Sequence, residues 1–418
     1  MKLNTLYIKG LRRIKQVLGR VVPHNTRYKP VGVCRFTPND SSSEMTNEIQ
    51  VHSIYTNHTS TLQVSEHLFA ACSDYWKPLK SVTTDYLVVE VPGGRIYTDN
   101  QNSVAVISRF NRVVDHVSLS LTNGKVTPPD RNNIFDQRYF NEPDYYEGTV
   151  FTLLTGGAGL NNISHWFVDV LPRLHLLQES GLYDLVDWFL VPSLRYSYQT
   201  ETLEMLGIPK EKLIAGDEHP HIAADGIIAS TAPRGIHTIV PEWLCQFNRN
   251  AFLPLEEVEA NEKPLRLYIS RSDSAIRNVL NEKELLEALE PLGFRNIISS
   301  KYSMLERIKM FSQAEVVIGA TGAGLINMLF CKPGTRLIEI FSEGFILEPF
   351  YDIAPKIGLD YDYVICKGNN NIKNADHGQR EHITVEIDKV LSAIARMEAE
   401  KLQSATTKRA EVSEENLI

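Results

Sequence analysis

Hydrophobic and polar positions change rhythm along this chain of 418 residues. Residues 30–66 carry little periodic signal, and Asn39 to Ser43 reads as a loop. From Tyr86 to about Leu121 come short β-branched runs, YLVVEVP, VAVIS and HVSLSL. They predict a small, largely antiparallel sheet with Pro92-Gly93-Gly94 as a hairpin-like turn and Asn123-Gly124 as its continuation. After Thr149 the pattern alternates between strand and helix. Strands are predicted at Thr149–Thr155, Asp187–Pro192 and Gly226–Ser230, and helices from near Ser164, at Tyr198–Leu206 and at Pro241–Phe252. A polar linker, Glu256–Pro264, precedes the most regular part. There the strands Leu265–Ser270, Arg295–Ser299, Glu315–Ile318, Arg336–Phe341 and Tyr361–Cys366 are separated by helical segments. Asn281 with Glu284, and Ser303 with Glu306, stand in capping-box positions at two helix starts. A loop, Gly368–Gln379, leads to an amphipathic final helix from Ile383 to Leu402 and a polar tail. Buried strands alternating with helices predict an α/β fold with a doubly wound parallel sheet in the second half. The expected divisions are 1–40, 41–255 with a β-rich start, 265–380, 381–402 and a disordered tail over 403–418.

Composition narrows the class. Hydrophobic residues make up 43%, charged residues 22%, and the net charge is -8. This suits a soluble globular protein and argues against general nucleic-acid binding, which calls for a basic domain. The charge is uneven: Met1 to Asn39 holds nine Lys or Arg and no Asp or Glu. Leu3, Tyr7, Leu11, Ile14, Leu18 and Val21 fall at helical spacing in that stretch. It reads either as a helix in peripheral contact with an anionic membrane surface through residues 1–22 or as one packed on its own domain. No signal peptide and no membrane-spanning run is legible. Five scattered cysteines, without a CxxC pattern, read as free thiols of a reducing compartment. A cytoplasmic location is expected, with peripheral attachment at the inner face of the membrane as its extension.

Three groups of residues have the character of a site. The stretch AEVVIGATGAGLINMLFCKPGTRLIEI reads strand, glycine loop, helix, strand. Its loop, Thr321, Gly322, Ala323, Gly324 and Leu325, would lie at the carboxyl edge of a parallel sheet, where ligands bind. Arg271 and Arg277 follow the first strand of the same sheet, and two guanidinium groups there can clamp a diphosphate. In NNISHWFVDVLPRL, the spacing of His165, Asp169 and Arg173 places them on one helix face. A His and a carboxylate one turn apart can hold or activate a hydroxyl, with Arg173 beside them in the acceptor cleft; an ordinary surface ion pair is the alternative. Glu339 is a candidate partner for ribose hydroxyls or, equally, for Arg336. HExxH, GxSxG, GxGxxG and the P-loop lysine are all missing, which disfavours zinc hydrolases, esterases and dinucleotide enzymes.

The segments NNISHWFVDVLPRL, SRSDSAIRNVLNEKEL, LGFRNI and VVIGATGAGLINMLFCKPGTRLIEI resemble glycosyltransferase family 61 over roughly residues 150–366. The resemblance implies a GT-B-like architecture, two Rossmann-like domains facing a cleft, here with an N-terminal β-rich extension. It also implies inverting sugar transfer from a nucleotide-sugar, expected to be a UDP-sugar, with no metal required. The acceptor would be a glycan or lipid-linked glycan, in the manner of bacterial capsular-polysaccharide members. The positions carried over are His165, Asp169, Arg173, Arg271, Arg277, Asn281, Glu282, Gly322 to Leu325 and Asn327. One departs from the pattern: many members have His where this chain has Thr321. That departure keeps open a non-catalytic nucleotide- or glycan-binding partner in a polysaccharide-assembly complex.

Overall fold

The computed structural model describes residues 25–37, 47–72, 77–122, 125–235, 238–253, 264–368, 372 and 374–399. The basic segment 1–22, the Asn39–Ser43 loop, Asn123-Gly124, most of the 256–264 linker and the 403–418 tail lie outside them.

Residues 32–230 build one mixed sheet. Asp144–Thr152 is flanked in parallel by Trp188–Val191 and by His221–Ser230, and Trp188–Val191 pairs in parallel with Leu213–Ala215. The β-rich region is not a separate sheet. Ser81–Pro92 and Arg95–Thr98 both pair antiparallel with His221–Ser230, at positions 226–230 and 221–223 respectively. Pro92-Gly93-Gly94 is therefore a kink in one long strand rather than a hairpin reversal. Gly93 adopts φ +59°, and its N–H donates to Asp225 O at 2.6 Å, so the partner strand takes up the hydrogen bond that a reversal would have used.

The second sheet has five strands, all parallel, in the order Phe294–Ile297, Leu265–Ile269, Ala314–Ala320, Arg336–Ser342 and Asp360–Cys366. Arg336–Ser342 is buried along its whole length, as expected of an inner strand covered on both faces. Ser303 and Glu306 form the capping box that their spacing predicts. Asn281 does not cap its helix through its side chain. Its amide instead clamps Val385, accepting from the backbone N–H at 2.8 Å and donating to the carbonyl at 2.9 Å. Residues 379–385 are thereby laid across the 271–281 loop, and the final helix begins at 387 rather than at Ile383.

One continuous apolar cluster joins the sheets. It runs from Tyr86 and Phe151 through Trp166, Phe167 and Val170 to Leu267, Val317 and Phe330. Phe167, Phe252 and Phe330 meet edge to face, with centroids 5.6–6.0 Å apart. Among the described residues no helix is long and apolar enough to cross a membrane.

Candidate functional site

The segment carrying His165 is an irregular helix. Asn162 caps its start, its side-chain oxygen accepting from the N–H of Ser164 at 2.9 Å and of His165 at 3.3 Å. Trp166–Val170 then widens into a π turn, with Leu171 N–H donating to Trp166 O at 3.0 Å. Pro172, which has no N–H to donate, follows at once. Within this turn His165 Nδ1 lies 2.6 Å from Asp169 Oδ2. The other flank of the carboxylate is taken by Arg234, whose Nε and Nη2 donate to Oδ1 and Oδ2, both at 2.8 Å. Burial alone would raise the Asp169 pKa, but Arg234 and His165 outweigh it and hold the carboxylate ionised well below the usual range. Such a carboxylate is a weak base. What it does well is fix the imidazole with Nδ1 as donor, which turns Nε2 outward from a ring that is 36% exposed.

Arg234 was not legible as a site residue. It follows the His221–Ser230 strand and lies 65 positions beyond Asp169, so no local period connects the two. Its one sequence signal is its place, at the carboxyl end of a strand in a Pro-Arg-Gly turn. Glu348, from the loop after the Arg336–Ser342 strand, stands behind it and accepts from Thr238 Oγ1. Burial pushes its carboxyl up to about 7 against the pull of Arg234.

Arg173 corrects the expectation that it faces an acceptor. Its guanidinium is buried and donates to backbone carbonyls, to Asp169 O at 3.0 Å and Ser230 O at 2.8 Å. It ties the helix to the sheet.

The second cluster lies at the carboxyl edge of the parallel sheet. Arg271 is packed on the glycine loop so closely that a Cβ at Gly322 would stand 1.6 Å from its Nη1. A side chain there would push the Arg271 guanidinium aside, although φ 164° and ψ 167° are ordinary extended backbone. Arg271 donates through Nε to Arg277 O at 3.1 Å and through Nη2 to Ser274 Oγ at 2.9 Å. Arg277, itself at φ +55°, lies over the Phe345 ring at 4.9 Å and donates to Gln379 O at 2.8 Å. Neither forms a salt bridge to a carboxylate among the described residues, and Arg277 Nε is buried without a hydrogen bond. Burial and the neighbouring Arg271 lower the Arg277 pKa to about 10. Two cations held together, one buried and one half-buried, repel each other, and an anion between them would relieve that cost.

The rest of the loop is scaffold. Asn327 is fully buried and donates to Gly324 O at 2.7 Å, while Leu325 is core. The amides of Ala323 and Gly324 open the Ala323–Phe330 helix, where N–H groups have no partner within the helix. Thr321 is buried and faces Glu339. Glu339 does not reach the loop's open side: it is 0% exposed and accepts from Tyr361 OH at 2.9 Å, not from Arg336. Burial, offset in part by Thr321 and Tyr361, pushes its pKa up to about 8. Glu282, likewise, accepts from Tyr268 OH at 2.9 Å. The Ile163–His165 turn packs against the Ala323–Phe330 helix, so the imidazole and the arginine pocket belong to one neighbourhood. No group of three or more His, Cys, Asp or Glu side chains gathers as a metal site among the described residues.

Both clusters fall largely within one stretch. Residues 163–338 match the Glycosyltransferase 61 family model. Over that stretch the chain is similar to family 61. A "Beta-1,2-xylosyltransferase RCN11" of Oryza sativa subsp. japonica is 30% identical over 97 residues, covering 21% of this chain and 18% of the relative. A "Beta-1,2-xylosyltransferase" of Arabidopsis thaliana is 27% identical over 147 residues, 27% of this chain and 28% of the relative. The match thus spans 18% to 28% of the length of these relatives. Among solved structures, a bacterial iron-containing dodecameric glycosyltransferase, TibC from enterotoxigenic E. coli H10407, aligns at 10% identity and TM-score 0.29, over 82% of this chain and 86% of that one.

Proposed function

We propose that this protein is an inverting glycosyltransferase that moves a sugar from a nucleotide-sugar, a UDP-sugar in the first instance, to a glycan hydroxyl. The buried Arg271 against the glycine loop and the half-buried Arg277 beside it, without a carboxylate partner among the described residues, carry the reading. In it, Arg271 and Arg277 receive the diphosphate, together with the Ala323 and Gly324 amides. His165 Nε2 takes the acceptor proton as the hydroxyl oxygen attacks the anomeric carbon. The bond from that carbon to the diphosphate oxygen breaks, and the negative charge that develops there meets the two guanidinium groups. Asp169 and Arg234 hold the imidazole in its tautomer and take no proton themselves. The arginine charge removes the need for a metal at the leaving group. The paired sheets would serve as the two halves of a GT-B enzyme, with the acceptor on the mixed sheet.

The names of the relatives favour a pentosyl donor. The five free, buried cysteines favour a reducing, cytoplasmic compartment, where a lipid-linked acceptor of a surface or capsular polysaccharide would be met. The buried Thr321, where many family members have His, favours a second reading, a binding partner without turnover.

Titration calorimetry with UDP, GDP, CDP and NAD in EDTA tests the donor site. One nucleoside diphosphate binds wild type, and Arg271→Ala loses about 10- to 100-fold, the worth of one or two charge-assisted hydrogen bonds. Binding of NAD alone, or equal binding by the variant, overturns the assignment. Donor hydrolysis without acceptor separates the enzyme from the binding partner, which shows none.

A further inference from the structure

The helices Arg173–Glu179 and Glu242–Phe252 enclose a second cavity, about 540 Å³ in volume, that shares no residue with either cluster above. One wall is aromatic. Three rings gather there: His175 is stacked on Trp243, with centroids 5.1 Å apart and planes at 21°, and Tyr55 lies beside both, its centroid 6.2 Å from His175 and 6.1 Å from Trp243. The Tyr55 hydroxyl lies 2.9 Å from His175 Nε2, so each ring fixes the next. The same two helices also offer Glu179, Gln178 and the carboxamides of Gln246 and Asn250, with Gln246 Nε2 donating to Asn250 Oδ1 at 3.1 Å. Among the described residues no Lys or Arg lines the space.

This composition selects by chemistry. A phosphate or carboxylate ligand would need cations, which the arginine pocket has and this cavity lacks. Flat rings match the C–H face of a pyranose, while carboxamides and a carboxylate match its hydroxyls by donating and accepting at once. The volume lies within the usual span of small-molecule sites. We propose that this cavity binds a neutral stretch of glycan, a subsite for the acceptor chain outside the reacting site. The assignment rests on the transferase reading for its purpose but not for its chemistry. Its effect is to select acceptors by length, adding binding energy remote from the transferred sugar.

The test is saturation-transfer NMR on the full chain with xylotetraose and N-acetylchitotetraose, run on wild type, Trp243→Ala and the double variant Gln246→Ala/Asn250→Ala. The double variant changes only exposed side chains, so its fold is kept even where Trp243→Ala fails to fold. At least one oligosaccharide binds wild type and Arg271→Ala alike, and the double variant weakens it about tenfold or more. Equal binding by the double variant, no signal from either oligosaccharide, or binding of tetramethylammonium in their place overturns the proposal. UDP titration of the same samples keeps the two readings apart. Oligosaccharide binding that depends on Gln246 and Asn250 in a protein that ignores UDP sustains the cavity and sinks the donor site, and the converse result does the reverse.

Discussion

Replacing Arg234 with Met puts the most weight on the arrangement around Asp169. The carboxylate is 16% exposed and the guanidinium 11%. Two of the three short contacts to the carboxylate, both at 2.8 Å, come from Arg234, and the third, at 2.6 Å, from His165. Hydrogen bonds to a charged group contribute about 1.5–3 kcal/mol each, and breaking a buried pair from one side costs about 3–5 kcal/mol. His165 remains, so the lower end applies, and Arg234→Met should destabilise the protein by about 3 kcal/mol at pH 8. The pH dependence has a definite sign. In wild type the Asp169 pKa is depressed, so its contribution is present above the ordinary carboxylate range and fades as pH falls through its own low pKa. Without Arg234 burial is opposed by His165 alone and that pKa rises, so lowering the pH neutralises the stranded charge and narrows the gap to wild type. Adding Asp169→Asn to Arg234→Met removes the stranded charge and should recover about half the loss. Denaturant titrations followed by tryptophan fluorescence, at pH 8 and pH 5, read all of this as shifts in midpoint. A single-variant cost below about 1 kcal/mol, the level of a surface ion pair, refutes the reasoning. So does a double variant no more stable than the single one.

Three further outcomes are expected. His165→Gln lowers kcat by about 10²–10⁴-fold with nucleotide affinity unchanged, measured by radiolabelled sugar transfer beside calorimetry, and a variant with full turnover removes His165 from proton transfer. Gly322→Ala, whose new Cβ would meet Arg271 Nη1 at 1.6 Å, displaces that guanidinium and weakens nucleoside diphosphate binding about tenfold or more; unchanged affinity means Arg271 does not face the ligand. Glu339→Gln tests the buried acid, whose pKa rises from 4.5 to about 8: the folded protein keeps a proton that the unfolded chain has lost, so wild-type stability falls as pH rises through that window. The variant should lose this slope, about 1.4 kcal/mol per pH unit, and parallel stability profiles would contradict it.

Much of the second half of the molecule was legible because its signals are local. Each inner strand of the parallel sheet is covered on both faces, so it must be a continuous apolar run, and the capping residues and glycines that bound it lie within a few positions. The approach of His165 to Asp169 follows likewise from a single helical turn. What escaped was whatever depends on where the chain returns. Pro92-Gly93-Gly94 has hairpin chemistry, yet the strand 221–230 holds both of its arms and turns it into a kink. Arg173 shares the face of His165 and Asp169, but the neighbouring strand's free carbonyls capture it, while Arg234, far along the chain, takes the place at the carboxylate. Asn281 and Glu339 stand at positions with a plausible local task, and burial gives them other partners in Val385 and Tyr361. The order of apolar and polar residues determined the strands, the helices and the sheet edge where the chemistry gathers. The tertiary structure decided which charged groups face one another, because a buried charge must find its partner wherever the folded chain places one, and sequence distance has no part in that energy.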